Sequence, residues 1–160
     1  MSISYRMAAA GDEVALAELR WCLCHEDCAE DGDKAQFVAD FCRLLPAIES
    51  TAQVVHWMAW HEERAIAAMT VVRVVKMPAP DDLCGEWGYL TNVYTLPEFR
   101  GRGVGAALLA AVTGWARQTR LELLLVWPSE RSVPFYGRAG FQRGTDPLVL
   151  VLPADRQEEV

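Results

Sequence analysis

Residues 100–105 read Arg-Gly-Arg-Gly-Val-Gly, and an apolar run with helical spacing, 106–112, follows at once. Glycines at the alternate positions 101, 103 and 105 let the main chain turn sharply and leave its amides uncovered. The helix behind them aims the positive end of its dipole at the same place. Arg100 and Arg102 flank the turn with guanidinium groups suited to phosphate oxygens. Such a segment is an anion cradle, and a pyrophosphate fits it. No Gly-Lys-Ser/Thr follows, which excludes the Walker-type loop of nucleoside triphosphate enzymes.

Downstream, Ser129-Glu130-Arg131-Ser132-Val133-Pro134-Phe135-Tyr136 runs into Gly140-Phe141. A phenol, with a pKa of about 10, is suited to proton transfer. On its own, the segment reads equally as a short helix that packs Tyr136 and Phe135 onto the sheet. The glycine turn also satisfies a relaxed dinucleotide fingerprint, Gly101-x-Gly103-x-x-Ala106 with Glu130 downstream, which would make the protein an NAD-dependent oxidoreductase. Residues 98–100 separate that turn from its strand, and both arginines would be surplus to a nicotinamide dinucleotide.

The pattern Arg100-x-x-Gly103-x-Gly105 and the later Tyr136 to Gly140-Phe141 segment resemble, in the same order, two signatures of the GCN5-related N-acetyltransferase (GNAT) superfamily. The resemblance covers Glu86 to Phe141. It implies acetyl-CoA as co-substrate and no metal. Its binding residues would be Val93, Tyr94 and Thr95 on a strand, Arg100, Gly101, Arg102, Gly103, Val104, Gly105 and Ala106 at the cradle, and Ser129 and Ser132 beyond. Amides near Val93 and Tyr94 would hold the thioester carbonyl, and Tyr136 would protonate the departing thiolate. Ser129 stands where the signature often has asparagine. Tyr89 occupies the position where some members place a catalytic glutamate, so Glu86, the nearest carboxylate, is expected to act through water.

The implied activity is transfer of an acetyl group from acetyl-CoA to a primary amine of a small molecule or peptide, directly within a ternary complex. The glutamate missing at position 89 keeps open a non-catalytic acyl-CoA sensor or interaction module. Homodimers are common in the superfamily, so a homodimer is a further expectation.

These residues need a frame. The resemblance implies a mixed α/β fold: a twisted, mostly antiparallel sheet with one parallel, splayed strand pair, flanked by about four helices. Local patterns agree with it. Ile3–Met7 alternates as a first strand, and Ala10-Gly11-Asp12-Glu13 offers a turn with Asp12 as N-cap. A first helix follows, and a second spans 34–47. Strands at 52–60 and 66–75 form a hairpin around 61–64. The proline-rich stretch 77–82 is a loop, so the strand 87–95 delivers the chain to the glycines. A helix over 104–119 then leads to the apolar run 121–127, expected as a strand buried on both faces and joined by a right-handed crossover. A short helix at 133–138 and a strand at 148–152 complete one domain over 1–160. Alternation on the strand before the glycines puts Tyr89, Thr91 and Val93 on one face and Asn92 and Tyr94 on the other.

Composition narrows the partners. The chain has 160 residues, 52% of them hydrophobic and 23% charged, with a net charge of −7. That acidity argues against nucleic-acid binding, which depends on Lys and Arg. The apolar runs fall well short of the roughly 20 residues a bilayer requires, and the first residues lack the pattern of a signal peptide. A cytoplasmic protein that does not enter membranes is expected. Glu26, Asp27, Glu30, Asp31 and Asp33 form an acidic connection between the first two helices that could attract an amine or simply be solvated. Five cysteines suit reduced thiols. Cys24 and Cys28 flank His25, yet no second close pair completes a zinc site, and small buried hydrophobes are the expected role.

Overall fold

The computed structural model describes residues 2–26, 32–80 and 82–144. Five strands form one sheet in the order β1 (Ile3–Met7), β2 (Gln53–His61), β3 (Arg64–Val75), β4 (Glu86–Thr95) and β5 (Leu124–Val126). The first three pairings are antiparallel and β4 runs parallel to β5. The strand expected at 148–152 lies outside the described residues.

The centre of the sheet is β3, where Ile66 to Val71 are all buried. This stretch, apolar except for Thr70, reflects cover on both faces. On one face, α1 (Glu13–His25) and α2 (Lys34–Thr51) bring Leu16, Leu19 and Leu45 onto Met58, Ala68 and Tyr94. On the other, α3 (Val104–Gln118) and α4 (Val133–Arg138) bring Leu108, Leu109, Val112 and Tyr136 onto Ile66, Met69, Val71 and Leu90. The spacing of Val104, Leu108, Val112 and Ala116 sets one turn of α3 on the next along its buried face.

Several sequence expectations are corrected. Asp12 holds the N-cap position of α1 but makes no side-chain capping bond: its carboxylate accepts from the Ala9 amide at 2.7 Å and from Arg6 at 2.5 Å, bracing the turn before the helix. Asp33 does cap α2, accepting from the Ala35 and Gln36 amides at 2.9 and 3.2 Å. That helix continues past Pro46 to Thr51 rather than ending at Ala47. The run 121–127 yields only three strand residues, half-buried, with Leu123 and Trp127 exposed. Its position at the described edge of the sheet leaves it less cover than β3 has. Cys24 is exposed, not a buried hydrophobe; Cys28 lies outside the described residues.

The largest departure is in β4. Thr70 pairs with Thr91 while Ala68 pairs with Tyr94, so β4 carries an extra residue there, and Asn92 takes a left-handed φ of 50°. This bulge breaks the period of two. Leu90 and Val93 therefore both pack toward α3, and Tyr94 toward α1.

Candidate active site

The parallel ladder between β4 and β5 is short: Gly88, Tyr89 and Leu90 pair with Leu124, Leu125 and Val126. Beyond it β4 continues through Thr91–Thr95 while β5 has ended. The parting of these strands opens a cleft of about 750 Å³. Its floor is β4 from Tyr89 to Thr95, and its rim carries the glycine turn, the start of α3, and Phe135 and Tyr136 of α4. The N-terminal end of α1 lies elsewhere, but its last turns supply Arg20, Leu23 and Glu26 to the wall.

The cradle takes its shape from two glycines. Gly103, with φ of 80°, occupies the cap position of α3 and offers no side chain to the first-turn amides. Those amides and the positive end of a helix of 15 residues are left facing the cleft. At Gly105 the constraint is space: an added Cβ would lie 3.3 Å from Thr95 Oγ1 and 3.5 Å from the Phe135 ring. A bare backbone there keeps strand, helix and α4 in close approach.

Arg100 lines this cleft but turns its guanidinium toward protein groups. Its Nε donates to the Thr95 carbonyl at 2.8 Å and its Nη1 to Glu26 Oε1 at 2.5 Å, while Nη2 donates to Glu26 Oε2. The same guanidinium stands 5.3 Å from the centre of the Tyr94 ring. Arg131 approaches Glu26 at 3.8 Å. The Arg100 hydrogen bond holds the Glu26 carboxyl below the usual range, and burial raises the Tyr94 phenol. Glu26 is thus an anchor for a loop arginine, not a spare charge for an approaching amine. Asp27, Glu30 and Asp31, grouped with it by sequence, lie outside the described residues.

Tyr136 is buried, and its ring meets Phe135 and Phe141 at centroid distances of 5.1 and 5.4 Å. Burial, with Tyr89 nearby, pushes its phenol up to about 12. The group is neutral throughout ordinary pH and is a proton donor. Tyr89 lies across the cleft floor, edge-on to Trp127 at 5.2 Å. Ser129 and Ser132 also line the cleft and are tied together, the Ser132 hydroxyl donating to the Ser129 carbonyl at 2.8 Å.

Val93, Tyr94, Thr95, Arg100, Gly101, Gly103, Val104, Gly105, Ala106, Ser129, Ser132 and Tyr136 therefore share one cavity. Two residues of the expected set do not. Arg102 lies over the Phe99 ring at 5.9 Å and is not part of the lining. Glu86 stands at the far end of β4, where Arg73 Nε donates to it at 2.8 Å in a half-buried ion pair. The sequence expectation is that Glu86 serves the site through water; its carboxylate pairs with Arg73 of β3 and is not part of the cleft lining. Sequence reading also missed the contributions of Arg20, Leu23, Arg131, Arg138 and Trp127. A signal existed for the first of these, because positions 20 and 23, one turn apart, share a helix face with 16 and 19 on its flank.

Among the described residues no three His, Cys, Asp or Glu side chains come together to hold a metal, and no helix is long and apolar enough to cross a membrane.

Comparisons with known proteins place this geometry. The profile of the acetyltransferase (GNAT) family matches residues 15–141. No curated protein matches the chain. Among solved structures, a predicted acetyltransferase with acetyl-CoA from Clostridium acetobutylicum is 25% identical, with a TM-score of 0.71 over 94% of this chain and 96% of that one. An acetyltransferase from Trypanosoma brucei is 21% identical at a TM-score of 0.71, covering 94% and 100% of the two chains. Glucosamine-6-phosphate N-acetyltransferase from Arabidopsis thaliana shares the fold at 17% identity and a TM-score of 0.73, covering 96% and 100%. With the profile spanning both the cradle and the buried tyrosine, the chain belongs to the acetyltransferase (GNAT) family.

Proposed function

We propose that this protein moves an acetyl group from acetyl-CoA to a primary amine by direct transfer in a ternary complex. The observation that carries the reading is the placement of an uncapped helix start and a buried, neutral tyrosine on the rim of one cleft, over a strand whose β5-facing edge has no strand partner beyond Leu90 among the described residues.

The α3 amides from Val104 onward, with the helix dipole, would receive a pyrophosphate. Gly105 keeps that approach open, since a side chain there would meet Thr95 and Phe135. Arg100 positions the loop through Glu26 and Thr95 instead of binding phosphate itself. Acetyl-CoA supplies the activated acyl carbon. Backbone N–H groups of the open β4 edge near Val93 and Tyr94 would stabilise the negative charge that develops on the thioester oxygen as the amine attacks. A new C–N bond forms, the C–S bond breaks, and the Tyr136 phenol donates to the departing sulfur. With a pKa of about 12 the phenol does not stay ionised, so the proton released by the amine nitrogen returns the balance through water. Among the described residues Glu26 is the only carboxylate on the cleft lining, and the arginines hold it.

Calorimetric titration with acetyl-CoA, and with NAD in parallel, tests the reading. Micromolar binding selective for acetyl-CoA, followed by acetylation of an amine, is expected. No binding, or preference for NAD, overturns it; binding with no turnover on any amine favours the sensor.

A further inference from the structure

The cleft of this acidic protein is itself basic. Its described lining holds four arginines, at positions 20, 100, 131 and 138, against the single carboxylate of Glu26. Three of the four belong to the cradle side: Arg100 follows β4, Arg131 lies in the turn after β5, and Arg138 ends α4. Two of these engage Glu26. Arg20 is different in both respects. It enters from α1, about 9 Å along the helix axis from Glu26 at 1.5 Å per residue. It is half-buried, and no described residue forms a hydrogen bond or ion pair with it.

A half-buried guanidinium loses part of its solvation, and no described residue replaces it. Its planar fork matches a carboxylate or phosphate, with two parallel N–H···O bonds. The surrounding charge sharpens the selection. With Glu26 neutralised by Arg100, a second cation arriving beside Arg20 meets net repulsion, while an oxyanion is attracted. Arg20 lies on α1, about two turns before the Glu26 contact with the glycine loop, so a group bound by it belongs to the second substrate and leaves the α3 start to the nucleotide.

We propose that Arg20 reads an oxyanion on the acceptor, and that the protein therefore acetylates small amines bearing a carboxylate or phosphate in preference to their neutral counterparts. This inference rests on the acetyl-transfer reading above. Leu23, one turn on and lining the same wall, supplies apolar contact to the carbon skeleton between the amine and its anion.

The test begins with acetyl-CoA calorimetry, whose failure would sink the acetyl-transfer reading independently. Given binding, acetylation is measured for the standard amino acids against their amides, and for phosphoethanolamine against ethanolamine. The anionic member of at least one pair should show kcat/KM at least about tenfold higher, close to one tenfold step in affinity. In Arg20→Gln that advantage should shrink to within about twofold, through KM and not kcat, with acetyl-CoA affinity and melting temperature unchanged; Arg20→Lys should restore part of it. The proposal is overturned if neutral members are acetylated as well as anionic ones, or if no anionic member is acetylated by cofactor-competent protein. It also fails if Arg20→Gln weakens acetyl-CoA binding while leaving acceptor preference intact, since the arginine would then be a nucleotide contact.

Discussion

The Glu26 carboxylate and the Arg100 guanidinium meet through a pair of hydrogen bonds across 74 positions of sequence, joining the end of α1 to the glycine loop. The pair lies at the mouth of the cleft, and each partner has a further contact: Arg131 for Glu26, the Thr95 carbonyl for Arg100. The two halves of the chain are fastened at the point where the site opens.

Glu26→Gln should destabilise the protein by about 1 kcal/mol at neutral pH, in the range of one charged hydrogen bond at a partly solvated site. Because Arg100 lowers the Glu26 pKa from 4.5, that stabilisation is present above pH 4.5 and is lost as pH falls through the folded value. Denaturant midpoints of wild type and variant should differ at pH 7 and converge under acid conditions.

Tyr136→Phe should lower kcat by about a hundredfold, the scale of one positioned acid, with KM for acetyl-CoA little changed. The neutral phenol is favoured by burial, so its contribution to stability is complete below pH 10 and is lost as pH rises from 10 toward about 12. Steady-state kinetics, with alkaline denaturation of the same variant, checks both statements. An alkaline loss of stability undiminished in the phenylalanine variant would assign it to other groups.

The two cradle glycines should fail in different ways. Gly103→Ala meets no atom within 4 Å but must hold φ of 80°, which costs about 1–2 kcal/mol. Gly105→Val places methyl groups against Thr95 and Phe135, and acetyl-CoA affinity should fall by about tenfold or more. Thermal melting reads the first change and calorimetry the second.

Between the sheet and the α1 and α2 helices, a second cavity of about 440 Å³ is lined by Leu16, Leu45, Glu49 and His56. Its Nδ1 is hydrogen-bonded to Thr70 Oγ1 at 2.8 Å, Glu49 approaches Nε2 at 3.5 Å, and burial lowers its pKa from 6.5. The unfolded chain takes up this proton first. Stability should therefore fall as pH drops below 6.5, and His56→Gln should flatten that slope in urea titrations.

Much of this arrangement was legible in sequence because its signals are local. The glycine spacing marked the cradle, β-branched and aromatic residues marked β2 and β3, and the hairpin at 61–64 appears as the pairing of His61 with Arg64. What escaped was set by distance or by a break in rhythm. Nothing within α1 says that Glu26 will meet an arginine of a later loop, and Arg73 draws Glu86 away from the site in the same manner. Asp12 matches a cap in type and place, yet Arg6 and the Ala9 amide claim its oxygens. The run 121–127 has the composition of a central strand but occupies a described edge.

The extra residue at Asn92 works as a change of phase within one strand. Upstream of it Leu90 serves the α3 layer; downstream, Tyr94 serves the α1 layer although it lies an even number of residues away. Excising Asn92 would restore regular alternation and turn the segment 93–95 over, carrying the Tyr94 ring away from Arg100 and Glu26. The strand could keep its full ladder with β3 and still lose its cleft, so the insertion that looks like a defect in pairing is what allows a single strand to address both layers.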